Sequence, residues 1–388
     1  MNRGLQGEVL RRRTGDEEFQ LFVPRPLPPT PALVADTEIN DLLELANRAL
    51  GRIDGLATLL PDRSLFLYFY VRKEAVLSSQ IEGTQSSIPE LLLYESEGAQ
   101  GTPFDDVREV SRYVSALDHG LARLRAGFPL SLRLIREIHG VLLSDGRGSE
   151  QTPGEFRRSQ NWVGGTRPGN ALYVPPPPEE VIPCMGALEN FLHDRPGRTP
   201  TLLKAALSHV QFETIHPFLD GNGRVGRLLI TLILCAEDAL SAPLLYLSLY
   251  FKENRQEYYD LLQRVRTEGD WEAWLRFFLA GVVATAEQAT TTARRILDLF
   301  DRDRDKIAGL GRTSGSVLRV HDYFRRTPLA STTRIAQALA LTAPTVATAL
   351  GRLESLGIVR ERSGRKWGRM YTYGEYLDIL GEGMEPLR

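Results

Sequence analysis

Between two apolar stretches of helical period, Thr201 to Thr214 and Asn222 to Ala239, the chain reads His216-Pro-Phe-Leu-Asp-Gly-Asn-Gly-Arg-Val-Gly-Arg227. The segment dictates what must lie between two helices: a proline that stops one and a glycine turn that opens the other. A glycine turn at a helix N-terminus aims backbone N–H groups outward at the positive end of the helix dipole, so it suits an anion. Arg224 and Arg227 stand three apart and share one helix face. Two guanidiniums beside such a turn suit a polyphosphate. Asp220 offers the carboxylate that Mg²⁺ takes together with substrate phosphates and water. His216, a group that ordinarily titrates near neutrality, is a general base in the same loop. Gly221-x-Gly223-x-x-Gly226 also fits the dinucleotide-binding fingerprint. That pattern needs a preceding strand, however, and TLLKAALSHVQFET is helical in period.

The remainder predicts a mainly α chain. Its 388 residues suit two to three domains, and its formal net charge of −2 excludes a wholly basic nucleic-acid coat. Residues 1–36 end in the proline-rich tract Val23 to Pro31 and read as an extended arm. Helical periods cover Asp36 to Leu60, Ser64 to Gln80, Phe104 to Ala126 and Ser131 to Leu143. Residues 146–178 are rich in Gly, Pro, Arg and Asn and read as a loop or short hairpin. Helices resume at Glu179 to His193, with two more at Asn254 to Glu268 and Asp270 to Asp305. Cys184 and Cys235 lie outside any zinc-type CxxC pair and are too few for a disulfide framework. The longest apolar run, Leu228 to Ala236, is far short of the roughly 20 residues of a spanning helix. The expectation is a cytoplasmic protein with no membrane partner.

Past a glycine-bearing linker the charge changes sign. From Gly311 to Gly374 there are 11 Lys+Arg against 3 Asp+Glu, an excess of +8. Three helices (Ser316–Arg326, Ser331–Leu339, Ala343–Leu356) and two strands (Ile358–Arg362, Lys366–Tyr373) read as a winged helix-turn-helix domain over 311–388. Its expected partner is DNA, through 331–369. Thr342, Thr345, Thr348 and Arg352 would reach the groove, and the wing from Arg360 to Arg369 would contact phosphates. An interaction or dimerisation module of the same fold is the alternative.

The segment 216–227 resembles the Fic family signature HxFx(D/E)GNGRxxR, with every fixed position matched. The resemblance implies a Fic-type helical core (residues 101–305) with a short β-hairpin flap, and transfer of AMP from ATP to a protein Tyr, Thr or Ser hydroxyl. By resemblance His216 deprotonates the acceptor and Asp220 binds Mg²⁺. Gly221, Asn222, Gly223 and Arg224, with Val225 and Gly226 in the same stretch, form the nucleotide site. Arg227 orients the γ-phosphate, and Phe218 anchors the loop. Upstream, Ser78-Ser79-Gln80-Ile81-Glu82-Gly83 resembles the family's inhibitory motif (S/T)xxxE(G/N), placed in a helical region spanning 37–100. The resemblance implies that Glu82 pairs with Arg227 and leaves ATP bound unproductively.

Residues 155–178 resemble the flap on which a target segment docks by strand addition. Tyr258 and Tyr259 occupy the region that lines the base pocket in relatives, where either would stack on adenine. Self-modification in a homodimer is a further partner expectation. Three activities compete: self-inhibited adenylyl transfer; removal of AMP with Glu82 positioning water; and transcription regulation in which the core only senses nucleotide.

Overall fold

The computed structural model describes residues 3–14, 17–59, 63–97, 105–146, 148–311, 314–362 and 369–385. The N-terminal residues correct the reading of 1–36 as an extended arm. β1 (Gly7–Thr14) and β2 (Glu17–Pro24) pair antiparallel, from Thr14 opposite Glu17 to Gly7 opposite Pro24. The period-2 alternation in EEFQLFVP, which buries Phe19 and Leu21 and leaves Glu18 and Gln20 exposed, builds a strand before the prolines begin.

Among the described residues eleven α-helices follow: α1 (Thr37–Leu59), α2 (Arg63–Ile81), α3 (Ile88–Glu97), α4 (Asp105–Arg125), α5 (Leu132–Leu142), α6 (Pro178–Leu192), α7 (Thr201–Ile215), α8 (Asn222–Ala236), α9 (Ser248–Glu253), α10 (Arg255–Glu268) and α11 (Trp271–Ala308). Side-chain caps start several of them. Ser131 Oγ accepts from Leu134 N at α5, and Asp270 from Ala273 N at α11. Nearly every side chain of α7 and α8 is buried, so these two are the central pair of the core rather than surface helices. Even Lys204 is enclosed, 1% exposed, with Asp194 at 2.9 Å and Glu237 at 2.6 Å. The 38-residue α11 packs along α1 and carries the chain out to the C-terminal module. Two short helices, α3 and α9, were not expected. Glu90 starts α3 by accepting from Ser87 N and Oγ at 2.8 and 2.7 Å, a signal too local to register as helical period.

The C-terminal module contains α12 (Ser314–Arg326), β3 (Leu329–Ser331), α13 (Thr332–Leu339), α14 (Ala343–Ser355), β4 (Arg360–Glu361), β5 (Met370–Thr372) and α15 (Gly374–Gly381). Its sheet has three strands in the order β3-β5-β4, where the sequence indicated two, because the short run Leu329–Ser331 also pairs with β5. Ser331 caps α13, and Thr342 caps α14 by accepting from Thr345 N. The middle of the expected wing, 363–368, lies outside the described residues. Among the described residues no helix is long and apolar enough to cross a membrane.

Candidate active site

The loop between α7 and α8 is built by its own backbone. His216 ends α7 in a left-handed conformation (φ 50°), its N–H donating to Phe212 O at 2.9 Å, and Pro217 cannot continue the helix. Phe218 is fully buried and stacks on His139, ring centres 3.6 Å apart and 5° from parallel. Gly221 (φ 75°) makes the left-handed turn into α8.

Neighbouring elements then hold this loop. Gly154 N donates to His139 Nδ1 (2.8 Å), so the His139 proton sits on Nε2, which donates to the Asp220 carbonyl at 3.1 Å. Arg157, 2% exposed, donates from Nε to His216 O (2.9 Å) and from Nη2 to Pro176 O (2.5 Å). Its own N–H donates to Pro217 O, and Asn161 Nδ2 reaches Phe218 O at 2.8 Å. His139, Arg157 and Asn161 are the positioning residues that sequence reasoning missed. They speak to backbone carbonyls, which no residue pattern announces.

Arg224 and Arg227 are both buried but go to different partners. Arg224 lies 2.9 Å from Glu109 of α4 and 3.5 Å from Asp220. Arg227 donates from Nε to Ser78 Oγ (2.8 Å) and from Nη2 to Ser78 O (2.9 Å) and Glu82 Oε1 (2.7 Å). Glu82 follows the last residue of α2, before Gly83 (φ 99°). A Cβ at Gly223 would stand 2.2 Å from Glu82 Oε1 and 2.9 Å from Arg227 Nη1. Glycine at 223 therefore leaves room for the Glu82 carboxylate to lie directly over the start of α8.

Two expected binding positions are corrected, and at a third the side chain serves the loop while the backbone amide stays at the helix start. The Asn222 side chain accepts from Phe218 N (2.9 Å) and donates to Phe218 O (2.8 Å). Val225 is 1% exposed in the core and its N–H donates to Gly221 O at 3.0 Å. Gly226 faces inward, where a Cβ would meet Glu213 Oε1 at 2.3 Å. The groups suited to an anion are the first-turn amides of α8, at Asn222, Gly223 and Arg224, which a helix cannot pair internally. Tyr258 is also corrected. It is 1% exposed, packs on Phe251 and shares a hydrogen bond with His209 Nε2 at 2.8 Å, so it is core. Tyr259 is 37% exposed beside it, with the Arg255 guanidinium 5.3 Å from its ring centre.

Charge in the site follows from burial and neighbours. Burial, reinforced by Arg157 and Arg266, pushes His216 down to about 4, so its ring is neutral at neutral pH. Burial works against the Glu82 charge, but Arg227, then Arg224 and His216, outweigh it and hold the carboxyl below its ordinary value. Burial likewise opposes the Arg227 charge, and Glu82 more than offsets it. Glu213, one turn before His216, is pushed up to about 7 by burial. Asp220 is one-third exposed, and its Oδ1 accepts from Gly221 N at 2.7 Å. Among the described residues no group of three His, Cys, Asp or Glu is placed to hold a metal. A lone open carboxylate fits Mg²⁺ that arrives with phosphates and keeps its waters, not a resident ion.

The flap is short. Val163 and Tyr173 form an isolated bridge (Val163 N to Tyr173 O, 2.8 Å) around a 3₁₀ turn at Pro168–Asn170. Leu172 is 82% exposed and Trp162 38%. β2 lies alongside, with Phe22 N donating to Val174 O at 3.0 Å. Between β2, the flap and α10 opens a cleft of about 480 Å³ whose lining includes Tyr173 and Arg266.

Comparison with known proteins gives consistent matches. Residues 40–122 match the Fic/DOC family N-terminal model and residues 129–234 the Fic/DOC family model. The chain is 34% identical over 202 residues to protein adenylyltransferase Fic of Aedes aegypti and 32% identical over 202 residues to that of Culex quinquefasciatus. Each match takes in 51% of this chain and 37% of the relative, so the chain spans little more than a third of the length of these curated relatives. A Fic family protein from Desulfovibrio desulfuricans G20 superposes with a TM-score of 0.57 at 23% identity, over 89% of this chain and 98% of that one. The match is one of fold. Residues 40–122 and 129–234 are thus similar to the N-terminal and core models of the Fic/DOC family, and the loop 216–227 lies within the second of these matches.

Proposed function

We propose that this chain is a self-inhibited protein adenylyltransferase, moving AMP from ATP to a Tyr, Thr or Ser hydroxyl of a protein. The observation that carries the reading is the grip on Arg227: Ser78 and Glu82 both hold it, and Glu82 covers Gly223. His216, neutral at neutral pH, takes the proton of the acceptor hydroxyl. The acceptor oxygen attacks the α-phosphorus, the bond to the bridging β-phosphate oxygen breaks, and pyrophosphate leaves with the electron pair. The first-turn amides of α8 and the Arg224 guanidinium stabilise charge on the phosphate oxygens. Arg227, freed from Glu82, orients the γ-phosphate so that the leaving group stands in line. Asp220 would hold Mg²⁺, which when bound neutralises charge on the α- and β-phosphates. Tyr259 stacks on the base. The target segment lies along the flap near 155–178, where Leu172 and Trp162 offer exposed apolar contacts. Another copy of the chain is one such target. We read the C-terminal module as a winged helix that would present Thr348, which is exposed, and the Thr342 cap of α14 to a DNA groove.

The test is purified chain incubated with ATP labelled at the α- or the γ-phosphate. AMP transfer leaves α-label on protein and releases γ-label; retention of γ-label alone overturns the reading. Glu82, held ionised beside the turn, also favours a second reading, in which it positions water to remove AMP. Glu82→Gly separates the two: transfer rises under the first, and AMP removal disappears under the second.

A further inference from the structure

The inhibitory helix α2 is held from two sides. Its C-terminal end faces Arg227, and its opposite flank meets the chain segment that follows α15. Lys73 Nζ donates to Glu382 O at 2.8 Å, and Gln80 Nε2 donates to Met384 O at 2.9 Å. The same Gln80 Nε2 reaches Ser86 O at 3.0 Å, so one amide ties residues 382–385 to the turn that carries Glu82. Lys252 of α9 donates to Gly383 O (3.3 Å) and to Glu385 O. Lys73, Gln80 and Lys252 are 2%, 1% and 5% exposed, and Met384 is a 5% exposed plug between them. Outside this clamp Arg295 of α11 holds Glu382 bidentately at 2.6 and 2.8 Å. Two ammonium groups and one amide, nearly enclosed, thus address the four successive backbone carbonyls of residues 382–385. That is a site built for a turn of peptide backbone, closed by Met384 N donating to Gly381 O at 3.0 Å, rather than for particular side chains, apart from its methionine plug.

We propose that residues 382–385 are a regulatory strap: seated on α2, they hold Glu82 against Arg227, and their departure releases the inhibition. The proposal rests on the inhibitory reading given above. The physical case is one of linkage. Ser78 and Glu82 are the α2-side partners of Arg227, and Gln80 lies between them in sequence while facing the strap. The strap in turn continues from α15, whose Tyr376 packs edge-on against Phe69 of α2 and whose Glu375 pairs with Arg302. An event on the C-terminal module that moves α15 therefore reaches Glu82 through one short segment. The Arg295–Glu382 pair is nearly half exposed, so its removal costs little and the strap is detachable.

Three chains test this: one truncated after Gly381, one carrying Arg295→Glu, and the wild type. AMP transfer should rise at least threefold on truncation and in the same direction, by less, with Arg295→Glu. Truncation in a Glu82→Gly background should add nothing. A synthetic peptide of residues 380–388 added to the truncated chain should restore inhibition, which simple loss of folding would not allow. Hydrogen exchange across 73–83 should quicken on truncation and slow again with peptide. Unchanged transfer in the truncated chain, or a rise that the peptide does not reverse, overturns the proposal. If Glu82→Gly itself transfers no AMP, the functional reading fails instead. The strap is then judged on exchange alone, and unchanged exchange refutes it.

Discussion

Replacing Glu82 by Gly removes one of three hydrogen bonds donated by Arg227 and leaves the two to Ser78. The bonds from Nε to Ser78 Oγ and from Nη2 to Ser78 O persist, so the guanidinium keeps its place while one face of it opens. What is lost is a single charge-assisted contact at 2.7 Å to a carboxylate about one-third exposed. A hydrogen bond to a charged group contributes about 1.5–3 kcal/mol when buried, and the partial exposure of Glu82 places this one near the lower end, about 1.5–2 kcal/mol. At roughly 1.4 kcal/mol per factor of ten, the population with Arg227 free should grow about ten- to thirtyfold. Transfer from α-labelled ATP should rise by that factor in turnover, with a smaller change in apparent ATP affinity, because Arg227 aligns the nucleotide more than it binds it. Glu82→Gln, which keeps the shape and drops the charge, should fall between. A rate for Glu82→Gly within twofold of wild type would refute the argument that the pair restrains the reaction.

Three other outcomes follow from the same geometry. The acid limb of transfer by Glu82→Gly should lie well below 6.5, because a base works only unprotonated and burial with Arg157 and Arg266 pushes His216 down to about 4; a limb centred at 6.5 in a pH–rate profile would contradict this. Stability should fall as pH drops from about 6.5 toward 4, since the unfolded chain takes up protons that His139, His209, His216 and His321, all pushed down to between about 3 and 4, refuse when folded. Glu74 and Glu213, pushed up to about 7, act in the opposite sense, so a melting temperature that rises with pH over this window is the check and one that falls contradicts it. Tyr259→Ala should weaken nucleotide binding several-fold in a titration while leaving the melt nearly unchanged; Tyr258→Phe, losing its bond to His209, should cost about 1 kcal/mol of stability and leave binding alone.

The sequence displays the site's own loop well, because its chemistry is local. Pro217 and Gly221 are needed where the backbone turns, between the end of α7 at Ile215 and the start of α8 at Asn222. The Arg227–Glu82 contact joins residues 145 positions apart and was expected only through resemblance. Other partners are invisible from sequence for a plain reason: they meet backbone. Arg157 is buried against carbonyls while its neighbour Arg158 is exposed, and nothing in EFRRSQ separates the two. Arg224 shares a helix face with Arg227 on paper, yet Glu109 draws it to α4. The asparagine of the glycine turn was expected to offer its backbone amide, and nothing in the local pattern told that its side chain closes the loop on Phe218. The hairpin at 7–24 escaped because the prolines that follow it dominate the local composition, although its own alternation is clear once its buried face is known.

The imidazole of His216 is where the account is most exposed to test. Intact-mass spectrometry of the Glu82→Gly chain incubated with ATP and Mg²⁺ should show added AMP, and the Glu82→Gly/His216→Ala chain, folded to the same melting temperature, should show none. AMP added at an equal rate without the imidazole would mean that another group takes the acceptor's proton.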